Sequence, residues 1–150
     1  MGNLIWHQWG RLVALTSGAW TAWGGLWAIF YRKFLWDFVG GELGPVGIIP
    51  SPSSAIFVNN IVKLPIIQSV CILNGLLTIA FEWPLFPGSF VYRSLTFKSL
   101  FYLQAALISG LVYQCADAAV FYIIAILAYT AALGNGEVVG VKKSAEPHAV

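Results

Sequence analysis

Few side chains in this sequence have the type and spacing that chemistry requires. His7 and His148 lie at opposite ends of the chain, and neither has an HxxxH, HxxE or CxxC companion. A metal-ligand set is therefore not expected. Cys71 and Cys115 fall in or beside apolar runs, where a thiol behaves as a small hydrophobe. Glu82 and Asp117 belong to different apolar stretches and are expected at opposite surfaces, too far apart to cooperate as a carboxylate pair. No Gly-x-Ser-x-Gly elbow, P-loop or dinucleotide fingerprint occurs. Neither catalysis nor a cofactor is expected.

The remaining polar side chains are conspicuous because of what surrounds them. Gln68, Cys71, Asn74, Gly75 and Thr78 fall within about a third of the circumference of one helix. Polar groups in hydrocarbon need partners, so this face is expected to point into a bundle. It either lines a polar pathway or ligand pocket or, as the more ordinary outcome, makes hydrogen bonds between helices. Ser109, Tyr113 and Asp117 recur at i, i+4, i+8, and Lys63 and Asp117 are expected at one surface, within reach of each other. Lys63, Gln68, Asn74, Thr78 and Asp117 are thus the candidate polar face. At the other surface Glu82 is expected to anchor to Arg11, Arg93 or Lys98.

A second candidate face is one of packing. Ser17, Thr21, Gly24, Gly25 and Ala28 share one side of the first apolar stretch, and small residues let helix backbones approach closely. Trp20, Trp23 and Trp27 line another side at i, i+3, i+7. That stripe serves as an aromatic wall for an apolar ligand or, more ordinarily, packs on lipid or a neighbouring helix.

The elements that carry these faces follow from composition. Of 150 residues 59% are hydrophobic and 9% charged, against about 25% charged in an ordinary soluble domain. Long apolar runs read as transmembrane helices. Four spans are expected, over about 12–30, 56–81, 94–113 and 118–133, in one domain covering 1–133. The first is expected to be retained rather than cleaved, because Arg32 and Lys33 close it like a stop-transfer signal. Gly and Pro are dense over 31–55, which reads as a loop, and its apolar part Phe34–Phe38 is expected to lie on the membrane. Pro65 is expected to kink the second span. Residues 94–133 would be twice too long as one helix, so a hairpin is expected near Gln114–Asp117. Residues 134–150 read as a flexible polar tail. The fold class is all-α, a polytopic four-helix transmembrane bundle.

Charge adds orientation and exclusions. The net charge of +2 comes from scattered groups, and nucleic-acid binding would need a clustered basic face. Four spans place Arg11, Arg93, Lys98, Lys142 and Lys143 on the side of both termini and Arg32, Lys33 and Lys63 opposite. That balance favours cytoplasmic termini, although the pair Arg32–Lys33 opposes it. Endoplasmic reticulum and plasma membrane are equally compatible.

Met1 to Arg11, the run from Phe30 to Gly41 and the block Glu82-Trp83-Pro84-Leu85 carry a resemblance. Together they resemble a family of small, uncharacterised four-span membrane proteins from fungi, over Met1 to about Leu133. The resemblance implies a polytopic fungal membrane protein and transfers no activity and no site residues. The expected function is non-enzymatic, in which the protein packs against other membrane proteins or itself within the lipid bilayer. The alternative is a small oligomeric transporter, channel or lipid-binding protein that uses the polar face of the second helix.

Overall fold

The computed structural model describes residues 4–31, 53, 55–83 and 88–139. It is all-α. Four long helices dominate, α1 (Trp6–Phe30), α2 (Ile66–Glu82), α3 (Leu95–Gly110) and α4 (Ala116–Gly134). Their closest contacts run α1 to α2, α2 to α3, α3 to α4 and α4 back to α1, so α1 lies diagonally opposite α3 and α2 opposite α4. The loop residues 32–52, with Phe34–Phe38, lie outside the described residues, as do residues 140–150 of the tail.

Each helix turns a seam inward at alternating three- and four-residue steps. Along the seams lie Gly10, Ala14, Ser17, Thr21, Gly24 and Ala28 on α1, and Gln68, Cys71, Gly75, Thr78 and Glu82 on α2, with Gly18, Gly25 and Asn74 buried beside them. On α3 the seam positions are Leu95, Lys98, Tyr102, Ala105 and Ser109, and on α4 Ala118, Tyr122, Ala125, Tyr129 and Ala132. A mean step of 3.5 residues keeps a seam facing its partner along nearly parallel helices. Leu95 apart, the seams carry small residues, polar residues and tyrosines, whereas Trp23, Phe30, Leu73, Leu76, Leu100, Leu107, Ile123 and Leu127 are exposed.

Helix ends differ in detail from the sequence expectation. The second apolar stretch is not one kinked helix. Ala55–Phe57 runs into a π-helical segment, Val58–Lys63, and Leu64 then takes extended backbone (φ −117°, ψ 134°) before α2 begins. Pro65 explains the break, because its ring disfavours α-helical backbone at the residue before it. The hairpin turn comes earlier than expected. α3 ends at Gly110, Val112 is extended, and a 3-10 turn over Tyr113–Cys115 leads into α4. Ser109, Tyr113 and Asp117 therefore form no continuous stripe. α1 starts at Trp6, six residues before the expected span. By length and composition one helix, Tyr113–Gly134, is long and apolar enough to cross a membrane among the described residues, and Ile66–Glu82 is apolar but shorter.

The first residues after α4 do not dangle. Glu137 and Val139 return to the bundle, with Val139 buried against the core. Ile5 has no side chain able to cap α1, and Glu137 does so instead by accepting from the N–H groups of Trp6 (3.1 Å) and His7 (2.9 Å). A carboxylate there also faces the positive end of the helix dipole.

Candidate functional site

The helix ends bring a set of charged groups together where α1 and α3 begin and α2 and α4 finish. Glu82 is the last residue of α2 and is fully buried. Lys98 and Tyr102 stand one turn apart on α3, whose start is fixed by Ser94 accepting from the N–H of Phe97 at 3.2 Å. Tyr129 comes from the last turns of α4.

These elements converge on the Glu82 carboxylate. Lys98 Nζ donates to Oε2 at 2.8 Å, and the hydroxyls of Tyr102 and Tyr129 both donate to Oε1. Lys98 is itself buried, with its ammonium 5.0 Å from the ring centre of Tyr92 and 5.8 Å from that of Tyr129. Burying a carboxylate is tolerated when it is paired and hydrogen-bonded, and Lys98 with the two tyrosines supplies both. Arg11 adds a fourth link, with Nε donating to the Glu82 main-chain carbonyl at 2.9 Å. That carbonyl belongs to the last turn of α2, where no following turn supplies an N–H.

The outer edge of the cluster opens on a cavity of about 180 Å³, lined by His7, Arg11, Glu82, Tyr92, Lys98 and Tyr129 among others. His7 Nδ1 lies 2.8 Å from Glu137 Oε2. Since a carboxylate only accepts, Nδ1 carries the hydrogen. Burial acts to raise the Glu137 pKa, but the hydrogen bonds from the His7 N–H, the His7 ring and the Trp6 N–H outweigh it and hold the carboxyl below its ordinary value.

The positions singled out from sequence are distributed differently. Gln68, Asn74 and Thr78 are buried, whereas Lys63 and Asp117 are exposed. Asp117 stands in the first turn of α4 and takes part in neither ion pair seen among the described residues, which are Lys98–Glu82 and His7–Glu137. Gln68 Nε2 donates to Ile61 O at 2.6 Å, and Thr78 Oγ1 donates to Asn74 O at 2.8 Å. With its hydrogen so used, Thr78 accepts from the Tyr122 hydroxyl at 2.9 Å, across the bundle diagonal. Gln68 Oε1, Asn74 Nδ2 and Ser109 Oγ are buried without a hydrogen-bond partner among the described residues.

All five small residues of the candidate packing face, Ser17, Thr21, Gly24, Gly25 and Ala28, are buried inside this chain. Ser17 donates to Ala118 O at 2.8 Å. A Cβ at Gly24 would stand 2.6 Å from Gln114 O, and one at Gly25 3.1 Å from Gln68 O. The seam thus joins α1 to its own neighbours.

Of the three cations expected near Glu82, Lys98 and Arg11 reach it, and Arg93 is exposed on the short helix Phe90–Arg93. Sequence reasoning did not single out Tyr102, Tyr122, Tyr129 or Glu137. The tyrosines of α4 were detectable as a periodicity, since Ala and Tyr occupy positions 118, 122, 125, 129 and 132. Glu137 left no such mark, because its partners lie about 130 residues away in sequence.

Residues 1–137 match the family model described as Domain of unknown function (DUF7727). The chain belongs to this family. The DUF7727 match covers all four helices, the Glu82 cluster and the Glu137 cap. No curated protein and no solved structure matches the chain.

Proposed function

We propose that this DUF7727 protein is a four-span integral membrane protein that acts without catalysis, by packing against other membrane proteins or further copies of itself. The observation that carries the reading is the reversed polarity of the bundle. Gln68, Asn74, Glu82, Lys98 and Ser109 are buried, and large apolar side chains on every long helix face outward. In water that arrangement exposes apolar surface and buries the groups that water would solvate, whereas in lipid it is the favourable one. The helices contain 16 to 25 residues, or about 24–38 Å, around a hydrocarbon thickness of about 30 Å. Resemblance to the four-span fungal family supports the same architecture.

The surface left for a partner is the aromatic side of α1. The small-residue side is consumed within the chain, while Trp20, Trp23, Trp27 and Phe30 remain exposed. Trp23 and Trp27 meet edge to face at 5.8 Å, and Trp27 stacks on Tyr31 at 6.1 Å. This ordered aromatic ridge presents area at low conformational cost.

Two measurements test the reading. Carbonate extraction of membranes should leave the chain in the pellet, and recovery as a dispersed protein without detergent rejects the membrane assignment. A photocrosslinker at Trp23 in nanodiscs should capture protein. Capture of lipid alone, with the mass of one chain, rejects association through this ridge. The unpartnered Gln68 Oε1 and Asn74 Nδ2 favour a second reading, a polar pathway or ligand contact along α2. Asn74→Leu should abolish flux or ligand binding in that case, and unchanged transport removes it.

A further inference from the structure

We propose that the cavity beside Glu82 binds the phosphodiester of an anionic phospholipid headgroup, with Arg11 and Lys98 as its cationic partners. The inference rests on the membrane reading above and adds a ligand class and a site to it.

Donors and acceptors at this end of the bundle are unequally matched. Among the described residues the two carboxylates at this end, Glu82 and Glu137, each already accept three hydrogen bonds. Glu82 Oε1 takes two tyrosine hydroxyls and Oε2 takes Lys98, while the Glu82 carbonyl takes Arg11 Nε. The Glu137 carboxylate takes two helix N–H groups and His7. Donors are in surplus. A guanidinium has five N–H donors and an ammonium three. Arg11 directs one of its donors to a protein oxygen, and so does Lys98, and both residues line the cavity. The exposed Gln8 amide adds further donors at the rim. A donor-rich pocket whose own carboxylates are already engaged by three donors each is matched by a ligand that brings acceptors and negative charge.

Charge and size narrow the class. Among the lining residues Arg11 and Lys98 outnumber Glu82 by one formal charge, while the Glu137 carboxylate lies behind His7 and does not line the cavity. A phosphodiester supplies one negative charge, and Arg binds such oxygens in bidentate fashion. About 180 Å³ accommodates a phosphate with its first ester atoms, while acyl chains can run along the apolar outer faces. Trp9 and Trp83 are exposed on the adjoining ends of α1 and α2, and indoles favour the headgroup level. Free inorganic phosphate shares this chemistry, so the test separates the two sources.

Full-length protein in neutral detergent would be exchanged with phosphatidylglycerol, phosphatidylcholine or inorganic phosphate, and retention read by native mass spectrometry. Phosphatidylcholine has the same phosphodiester, but its quaternary ammonium brings a cation beside Arg11 and Lys98. Phosphatidylglycerol should therefore be retained about tenfold over it, with Arg11→Gln abolishing that preference and Arg93→Gln leaving it intact. Arg11→Lys should keep part of the preference. The comparison of lipids on the unaltered chain stands even if Arg11→Gln fails to fold. Equal retention of both lipids overturns the site, as does equal loss in the Arg11 and Arg93 variants. Phosphate that binds alone and displaces no lipid overturns the lipid assignment. Partition into the aqueous phase of a detergent-separation assay would instead overturn the membrane reading, whatever the lipid result.

Discussion

The two halves of the bundle are held together by opposite means. At the end that gathers Glu82, Lys98, Arg11, Tyr102 and Tyr129, cohesion comes from charge and hydrogen bonds among long side chains. Further along, glycines let the backbones of α1 and α2 approach each other closely. A Cβ at Gly75 would stand 2.5 Å from Ala22 N and 2.6 Å from Gly18 O, and one at Gly18 2.9 Å from Thr78. The charged end is therefore expected to be sensitive to which groups are present and how they are protonated. The seam is expected to respond to volume.

The largest expected loss lies at the buried ion pair. Lys98→Met leaves Glu82 buried without its counter-ion and should cost about 3–5 kcal/mol of stability in denaturation from micelles. Combining Lys98→Met with Glu82→Gln should recover most of that loss. If the double variant is as unstable as the single one, packing rather than charge dominates this end. At the seam, Gly75→Ala should cost about 1–3 kcal/mol, because backbone atoms of α1 block the new methyl. Gly110→Ala, whose Cβ would have its nearest neighbour 4.0 Å away at Ala119, should be neutral or stabilising by up to about 1 kcal/mol. Equal effects at the two glycines would remove the close-approach account.

Smaller effects sharpen the picture. A double-mutant cycle with Thr78→Val and Tyr122→Phe should show a coupling of about 0.6 kcal/mol, the usual size for a hydrogen bond between helices in lipid. The smallest effect is a pH dependence from Glu137. Its pKa is lowered in the folded chain, so its contribution is present above the unfolded value and fades as pH falls through the folded one. Thermal unfolding in micelles should show a shallow acid-side loss that Glu137→Gln removes. An unaltered acid limb in that variant would mean that another carboxylate governs it.

The polar face of α2 was legible because its residues lie on one helix, and 3.6-residue periodicity puts Gln68, Asn74 and Thr78 on a side that is buried. The partners of that face were not legible, since Tyr122 reaches Thr78 from the diagonally opposite helix. The break at Leu64–Pro65 and the early turn at Val112 were likewise underestimated. A proline kink and a full break look alike in sequence, and an extended residue in an apolar run leaves no compositional mark.

Composition and periodicity by themselves determined that the chain is helical, with long apolar stretches and small or polar residues grouped on particular faces. Those properties arise from neighbours within a few turns. Which face meets which was decided only in three dimensions. Glu82 acquires donors from three other helices, Glu137 caps a helix at the far end of the chain, and the small-residue side of α1 closes on α2, α4 and the turn before α4. Such pairings depend on the direction and depth at which helices pack, and a linear pattern carries neither.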